Sequence, residues 1–317
     1  MGSSASEVRR FVGTAAVFAA SAVVVYGLLY VWAERLVRTY AKTNKFLLVQ
    51  STPAGEVDFL VLGASHAAAL GYQDMTARLE AMTGKRILNL AIVGGGVHVS
   101  RLMYYYFLSH HGAGGLVYVI DSFTFYSPQW NEDRLQDRRL FLRAPFDAKL
   151  VMRLLHDPST RRVGIDYTLG FSKINNEDRF TADVSPEEQT RFTRTYRPVR
   201  QLDDERMAYL YPAQIDPATL DRYLGDFDAL LRDAQARRMR VLVVKPPIPT
   251  RVLERIPGED VFDRRLRELL ARRDVAFEDF SRVGNDEAFF YDTDHLNQAG
   301  VVNFFGRALA PVLNHAY

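Results

Sequence analysis

The sequence predicts an α/β protein with a mostly parallel sheet, one N-terminal transmembrane helix and a partly helical insertion. Three observations predict this class: short apolar segments alternate with helical patterns, one long run near the N terminus carries no charge, and one stretch of nearly a hundred residues breaks the alternation. The 317 residues, 48% of them hydrophobic, allow one sizeable domain plus an appendage.

The first element is the charge-free run Phe11–Ala33, which is 23 residues long. A helix of this length spans about 35 Å at about 1.5 Å per residue, which exceeds a bilayer's hydrocarbon core of about 30 Å. A buried core helix and a cleaved signal peptide are the alternatives, but the run is longer than the apolar region of a signal peptide and no clear Ala-x-Ala site follows it. We therefore expect residues 1–45 to form an uncleaved anchor and linker, with the span at about 11–33.

Basic residues flank the run on both sides. Arg9 and Arg10 precede it, and four basic residues follow it, namely Arg35, Arg38, Lys42 and Lys45. The positive-inside rule therefore does not separate the two orientations, and taken literally it leans slightly toward a cytoplasmic globular domain.

Residues 46–317 alternate predicted strands and helices. The strands are apolar segments bounded by glycine, proline or charge: Val57–Leu62, Arg86–Ile92, Leu116–Ile120, Arg240–Lys245 and Val275–Phe280. The helical patterns between and after them are Tyr72–Met82, His98–Ser109, Leu220–Arg238, Phe262–Arg272 and Gln298–Leu313. This repetition favours a parallel sheet covered on both faces, with its site at the carboxyl ends of the strands.

The alternation stops at about residues 126–221. This stretch carries Trp130, several tyrosines and many arginines, and it is too long for a simple loop in a compact domain. It predicts an inserted lid or subdomain. One interpretation is a substrate-facing wall, because aromatic rings and arginines suit sugars or anionic polymers; the other is a peripheral cap or a docking surface for another membrane protein.

Two short motifs, 227 residues apart, carry the chemistry. Ser65 follows the first predicted strand through Gly63, and Asp292 precedes His295 by three residues after the last predicted strand. A serine hydroxyl needs a base to take its proton, and the base needs a carboxylate that fixes its tautomer. Residues three apart at the start of a helix project to one side, so Asp292 can hold one nitrogen of His295 and leave the other for Ser65. The pattern predicts a catalytic set of Ser65, His295 and Asp292.

These residues resemble the SGNH or GDSL-type hydrolases, which carry a serine after the first strand and Asp-x-x-His before the last helix. The resemblance covers roughly residues 57 to 314 and implies a flavodoxin-like three-layer sandwich. Within the family the chain is most similar to a membrane-anchored branch that includes the D-alanyl transfer protein of teichoic acid synthesis and the alginate O-acetylation proteins. It implies an esterase or O-acyltransferase that needs no cofactor and acts on a cell-envelope or exported polysaccharide.

The same resemblance bears on location and partners. It implies a single-pass protein of the cytoplasmic (inner) membrane, with its globular domain on the periplasmic or extracytoplasmic side. It also implies a membrane-bound O-acyltransferase that delivers the acyl group to this chain. A simple carboxylesterase and a catalytically silent scaffold or polysaccharide-binding component of an envelope assembly remain as alternatives.

Acyl transfer also needs donors for the developing oxyanion. The amide of Ser65 or His66 can supply one. The glycines after the second strand can supply another, because glycine lets the backbone approach a ligand closely. The resemblance implies that one of them is the oxyanion residue, with Gly95 as the central candidate and Gly94 beside it. A plain strand-to-helix turn is the alternative for these glycines.

The family's third donor is an asparagine after the third strand, where this chain has Asp121 and Ser122. A carboxylate would repel an oxyanion, so Ser122 could donate instead, while Asp121 could hold the substrate, orient a loop or serve the structure. His66 could polarise a substrate, or it could pack against or cap the following helix.

Composition excludes several other kinds of chemistry. The absence of cysteine excludes disulfides, thiolate catalysis and cysteine metal sites. The neighbours His110 and His111 lack the helical spacing of a metal site, so no metal is predicted. A net charge of only +2 gives no field-driven case for nucleic acid.

Overall fold

The structure is a computed structural model that describes residues 5–53, 55 and 57–315. Its five strands are β1 (Val57–Gly63), β2 (Ile87–Asn89), β3 (Ala113–Val119), β4 (Arg240–Lys245) and β5 (Ala276–Asp279). They form one sheet in the order β2-β1-β3-β4-β5, and every pairing is parallel. All five predicted strands are confirmed, although β2 is shorter than its apolar segment. The order is that of flavodoxin-like sheets, as predicted.

The helices fill the connections. They are α1 (Ala5–Tyr40), α2 (Lys45–Ser51), α3 (Ser65–Ala69), α4 (Met75–Thr83), α5 (Val97–Leu108), α6 (Glu132–Gln136), α7 (Ala148–His156), α8 (Arg161–Leu169), α9 (Phe171–Ile174), α10 (Pro186–Thr190), α11 (Arg200–Leu210), α12 (Pro217–Ala236), α13 (Thr250–Leu253), α14 (Glu259–Arg273), α15 (Gln298–Phe304) and α16 (Ala310–His315). A π-helical turn, Phe305–Leu309, joins the last two. Short 3-10 turns occupy Ser122–Phe125, Pro128–Trp130, Arg138–Leu140, Glu177–Phe180 and Glu287–Phe289.

The chain divides into two compact units, and the division differs from the predicted boundaries. One, the helical unit, consists of the chain up to Leu47 together with Arg138–Asp183. The other, the sheet unit, consists of Leu48–Asp137 and Val184–Tyr317. The predicted insertion at 126–221 is therefore not one body. Its middle part belongs with the N-terminal helix, and its two ends belong with the sheet.

The sheet unit is a three-layer sandwich because alternate strand residues point to opposite faces. On one face Phe59 and Val61 of β1 pack with apolar residues of α4, α15 and α16. On the other face the ring of Tyr118 lies 4.7 Å from that of Phe227 in α12. Both faces are covered, which explains why the strands are nearly continuous apolar runs.

Gly63, the last residue of β1, allows the turn that places Ser65 after the strand. Its φ is +143°, and a Cβ there would lie 2.4 Å from the carbonyl oxygen of Val119 on the neighbouring strand. We expect Gly63→Ala to lower the free energy of unfolding by about 2 kcal/mol, because the strand pair must open to admit the methyl group. Gly225→Ala is the matched control, since a Cβ at this exposed α12 position meets nothing within 4 Å.

Chemical denaturation of the two variants in the same detergent, followed by tryptophan fluorescence, measures the difference. Equal stability of Gly63→Ala and Gly225→Ala would contradict the close approach of β1 to β3.

The helical unit is built around α1, the one helix among the described residues that is long and apolar enough to cross a membrane by length and composition. Its C-terminal part contacts Arg138–Asp183. The buried Lys173 ammonium pairs with Glu34 of α1 and donates to the carbonyl of Ala144 at 2.8 Å. A buried ion pair with this additional hydrogen bond fixes the segment to the helix.

Candidate active site

Ser65 lies where the turn after β1 enters α3, at the carboxyl end of a central strand. It is the first residue of α3, so its amide and the next one have no intrahelical acceptor. Ser65 is 7% exposed and lines a cleft of about 820 Å³ within the sheet unit. The turn therefore brings the Ser65 hydroxyl to the cleft and leaves two backbone amides without an intrahelical acceptor.

The Asp-x-x-His motif forms a tight turn just before α15. The Asp292 carboxylate lies 2.9 and 3.0 Å from Nδ1 of His295, and it also accepts the backbone amides of His295 and Asp294 at 2.8 and 3.1 Å. Because an ionised carboxylate can only accept, Nδ1 carries the proton and Nε2 is left as the basic nitrogen. Burial opposes the charge of Asp292, but electrostatic attraction to the His295 ring and its hydrogen bond lower the pKa of the Asp292 carboxyl overall.

Two aromatic rings fix the orientation of His295. The Tyr291 ring is stacked on it, 5.5 Å away at an angle of 8°, and the His66 imidazole lies 4.7 Å away. His295 is buried but still lines the same cleft as Ser65. Among the described residues, no hydrogen bond joins the Ser65 hydroxyl to His295. Catalytic hydrogen bonds are often long without substrate, so the absence of this bond does not exclude a role for the pair.

The glycines after β2 differ in whether their amides are free. The amide of Gly95 donates to the Ile92 carbonyl at 2.8 Å, and that of Gly96 donates to the Trp130 carbonyl at 2.6 Å. Gly94 has a φ of +67° and lines the cleft, and its amide makes no hydrogen bond to any described part of the chain. The expected donor Gly95 is thus engaged elsewhere, and its neighbour Gly94 has the available amide.

Asp121 and Ser122 do not line the cleft that holds Ser65. Asp121 Oδ1 lies 2.5 Å from Nδ1 of His66, and the Ser122 hydroxyl lies 2.8 Å from that of Tyr211. Both residues face a separate cavity of about 20 Å³, large enough for one water molecule. Asp121, which follows the third strand, therefore holds His66 in place. Neither Asp121 nor Ser122 offers a donor to the cleft.

His66 carries a buried positive charge. Its Nδ1 faces Asp121, and its Nε2 lies 3.1 Å from the carbonyl oxygen of Asp294, so both nitrogens face acceptors and both carry protons. Burial lowers the pKa of His66, but the charge and hydrogen bond of Asp121 outweigh it and raise this pKa to about 9. An imidazolium thus lies beside the ring of the candidate base, His295.

Arg206 of α11 completes the charge network. Its guanidinium binds both carboxylate oxygens of the buried Asp294 at 3.0 to 3.2 Å, and its Nη2 lies 3.5 Å from His295 Nε2. The Arg206 charge overcomes burial and keeps the pKa of Asp294 far below its ordinary range. Arg206 is the cleft residue that approaches the basic nitrogen of His295.

The trio His66, Asp294 and His295 brings atoms able to bind a metal within 4.8 Å of one another. However, both nitrogens of His66 face oxygen acceptors, and Arg206 binds both oxygens of Asp294. The donor set is therefore saturated by hydrogen bonds and cations, which favours an ion-pair network over a metal site.

Sequence reasoning missed two of these contacts. His66 and Asp121 follow the adjacent strands β1 and β3, and the carboxyl ends of neighbouring parallel strands meet at one edge, so their pairing had a signal in the sequence. Arg206 lies in the part of the chain without regular alternation, and no motif marks it.

The charge on His66 makes a prediction about pH. A pKa raised from 6.5 to about 9 on folding gives stabilisation that is complete below pH 6.5 and lost as the pH rises through about 9. The loss is expected to reach about 3 kcal/mol. Denaturation at several pH values, with Asp121→Asn beside the wild type, checks it: the variant should show a much weaker fall over this range. Parallel pH profiles would contradict a charged His66.

No protein-family model and no curated protein sequence matches the chain. Among solved structures it is similar to a Streptococcus pneumoniae protein described as a candidate platelet activating factor, with 13% identity, a TM-score of 0.41, and coverage of 93% of this chain and 99% of the other. It is also similar to a Bacteroides fragilis protein described as a candidate acylhydrolase, with 9% identity, a TM-score of 0.45, and coverage of 86% and 96%. At these values neither likeness bears on the activity of this chain.

Proposed function

We propose that the sheet unit is a serine esterase or O-acyltransferase that works through an acyl-Ser65 intermediate. The observation that carries this proposal is the Asp292–His295 pair, which leaves His295 Nε2 basic in the cleft that Ser65 also lines. Ser65 follows β1, and the turn with Asp292 and His295 lies in the loop after β5. Both therefore lie at the carboxyl edge of the parallel sheet, which is where open α/β sheets carry their ligand sites.

In the first half of the reaction Ser65 Oγ attacks the acyl carbon and His295 Nε2 takes its proton. Asp292 stabilises the imidazolium that forms. The tetrahedral intermediate collapses when the bond to the leaving alcohol breaks, and His295 returns the proton to that oxygen. In the second half, water or an acceptor hydroxyl attacks the acyl-serine, with His295 again taking and returning the proton.

The oxyanion needs donors at the carbonyl oxygen, and each is worth about 10²- to 10³-fold in rate. The amides of Ser65 or His66 and of Gly94 are the backbone donors in this proposal. Arg206 takes the place of the missing third-strand asparagine, because its Nη2 is 3.5 Å from His295 Nε2 and its charge favours a developing anion.

The acceptor we propose is an anionic polysaccharide of the cell envelope or an exported one. The exposed arginines Arg191, Arg194 and Arg197 line the cleft, together with aromatic rings that suit sugar faces: Tyr72, Trp130, Tyr196, Tyr209 and Tyr291. We further propose that α1 anchors the chain in the cytoplasmic membrane with the sheet unit outside, where a membrane-bound O-acyltransferase would supply the acyl group.

The arginines give a test of the acceptor class. We expect Arg194→Gln combined with Arg197→Gln to weaken binding of polygalacturonate about tenfold, because two exposed charges each contribute up to about 1 kcal/mol. Hydrolysis of neutral p-nitrophenyl acetate should not change. Arg282→Gln, an exposed arginine outside the cleft lining, is the control. Equal polygalacturonate affinity in the double variant and this control would contradict an anionic acceptor.

The function itself is tested with the full chain in detergent, incubated with a fluorophosphonate probe. We expect labelling of the wild type and of Ser281→Ala, and no labelling of Ser65→Ala. Ser281 is a matched control because it is a buried serine just beyond β5 that lies outside the cleft lining. Labelling that survives Ser65→Ala would overturn the assignment of the nucleophile.

One observation favours the second candidate, a catalytically silent scaffold or polysaccharide-binding component. The described residues contain no hydrogen bond from Ser65 to His295, and Arg206 lies beside the nitrogen that the serine would use. If no probe reacts with the wild type while polygalacturonate still binds, the scaffold becomes the better proposal.

A further inference from the structure

The helical unit exposes apolar side chains in a way that the catalytic proposal does not explain. Within Arg138–Asp183 six large apolar residues are exposed: Phe146, Met152, Ile165, Leu169, Phe171 and Phe180. The described residues outside this segment and α1 make up a much longer part of the chain. Only six of their large apolar side chains are exposed. Such clustering on one short segment marks an interaction surface.

The most exposed part of this surface near α1 is the corner between α8 and α9. Leu169 is 57% exposed and Phe171 is 60% exposed, and Gly170 between them has a φ of +73°. A Cβ on Gly170 would lie 2.2 Å from the ring of Tyr30, so the corner packs closely against α1. The two apolar side chains on either side of this glycine therefore lie close to the apolar run.

The depth of the corner follows from its contacts. The Tyr26 hydroxyl donates to the carbonyl of Leu169 at 3.0 Å. Tyr26 precedes Ala33, the last residue of the charge-free run, by seven positions, which is about 10 Å along a helix. If the run fills the hydrocarbon core, the corner lies at the depth where interfacial amphipathic segments bury their apolar faces.

Charges and aromatic rings are distributed as this depth requires. Along α8 the exposed residues Arg162, Ile165 and Leu169 follow helical spacing, so one stripe changes from basic to apolar toward the corner. Further along α1, the Trp32 and Tyr40 rings contact Phe180 at 5.9 and 6.4 Å. Tryptophan and tyrosine are enriched at the level of the headgroups.

An ion pair at the end of the run is largely buried. Glu34 is the first charged residue after Ala33, and it is paired with Lys173, whose side chain is 3% exposed. Pairing removes the cost of placing a lone carboxylate beside the hydrocarbon core. It also ties α9 to α1, which is expected of a permanent part of the fold and not of a cleaved signal peptide.

We infer that the α8–α9 corner, with Leu169 and Phe171, inserts into the lipid interface beside α1 as a second membrane contact. The occupant of this surface is the bilayer, because the corner contacts the apolar run itself and its basic-to-apolar stripe matches headgroups above acyl chains. The inference rests on anchoring by α1 and does not depend on the catalytic proposal.

The absence of cysteine from the sequence makes a direct test straightforward. Single variants of the full chain, Leu169→Cys and Phe171→Cys, are labelled with the fluorophore NBD and reconstituted in vesicles of phosphatidylcholine and phosphatidylglycerol. Two references are labelled in the same way. Ala22→Cys lies at the middle of the charge-free run, and Ser159→Cys lies before α8, about 12 Å or more along that helix from the corner.

We expect lipids spin-labelled near the glycerol to quench the two corner positions several-fold more strongly than Ser159→Cys, and aqueous iodide to quench them several-fold less. Ala22→Cys should respond to lipids labelled deep in the acyl chain. If the corner is as open to iodide as Ser159→Cys while Ala22→Cys is deep, the inference is overturned and the anchor stands. If Ala22→Cys is itself open to iodide, the anchor has failed.

A third result separates lipid from protein as the occupant. Protection of the corner from iodide without quenching by spin-labelled lipid would mean that another protein surface, such as a second copy of this chain, covers it. That result would also overturn the inference.

Discussion

Replacing Ser65 with alanine is expected to lower turnover of p-nitrophenyl acetate by about 10⁴- to 10⁶-fold, which is the largest effect of any single change in this chain. Ser65 Oγ is the only protein atom that forms a bond to the acyl carbon in the proposed mechanism. His295→Ala should cost about as much, because without its Nε2 the hydroxyl keeps its proton.

The double variant Ser65→Ala with His295→Ala separates a catalytic pair from two independent contributions. Groups that act as one unit are strongly non-additive, so the double variant should turn over substrate no more slowly than Ser65→Ala alone. Single-turnover kinetics under matched detergent conditions measures all three variants. If the two losses multiply, the two residues do not act together on one proton, and the triad assignment is wrong.

The backbone amides set the residual rate in these variants. Gly94 and the first turn of α3 remain in place when Ser65 or His295 is truncated, so they can still polarise an ester carbonyl. A small activity above the uncatalysed rate is therefore compatible with loss of the nucleophile. Fluorophosphonate labelling, which needs the serine oxygen itself, should fall to the background.

The fold could be predicted from periodicity because its core obeys local rules. β1 and β4 are nearly continuous apolar runs, and parallel strands buried on both faces produce that pattern. The helices between the strands begin and end close to the predicted residues because they also obey local rules. Propensity and burial point to the same structure along these segments, so little tertiary information was needed.

The division of the chain into two units could not be predicted in this way. Nothing in the sequence from Arg138 to Asp183 states that its partner is a helix more than a hundred residues earlier. The contact of Lys173 with Glu34 depends on which surfaces meet in three dimensions. A stretch without regular alternation shows only that it does not belong to the repeating sheet.

The site shows the same contrast. Asp292 and His295 are three residues apart, so local geometry determines their pairing. Gly94 and Gly95 could not be ranked from sequence, because which amide is free depends on a turn that returns Gly95 to Ile92. Arg206 reaches the site across 88 residues, and the sequence carries no sign of that contact.

Outside the Ser65–His295 pair, Arg206→Gln is expected to produce the largest effect, first on stability. The partner of Arg206 is Asp294, which is 2% exposed. Without Arg206, the nearby cation left for Asp294 is His66, whose Nε2 lies 3.5 Å from the Asp294 carboxylate. Breaking a buried ion pair from one side typically costs about 3–5 kcal/mol, because the remaining charge stays buried. Asp294 stabilises the fold at pH values above its ordinary carboxyl pKa, and this stabilisation is lost as the pH falls. Without Arg206 the pKa of the buried Asp294 should rise toward that ordinary value or above it, so the fall in stability at acid pH should be much smaller than in the wild type.

The same substitution should lower kcat for an ester about 10²-fold if Arg206 donates to the oxyanion. Stability and catalysis are separated by adding Asp294→Asn, which removes the orphaned charge. The double variant should recover most of the free energy of unfolding, since a neutral amide can be buried with far less cost than a carboxylate. Its kcat should stay low, because the guanidinium is still missing from the cleft.

Denaturation and steady-state kinetics on the wild type, the two single variants and the double variant decide between two roles. Recovery of stability without recovery of kcat assigns Arg206 to the reacting atoms. Recovery of both would mean that Arg206 acts only by holding the turn from Asp292 to His295 in place, through Asp294. In that case the missing third-strand asparagine has no substitute, and the amides of Gly94 and the first turn of α3 must stabilise the oxyanion alone.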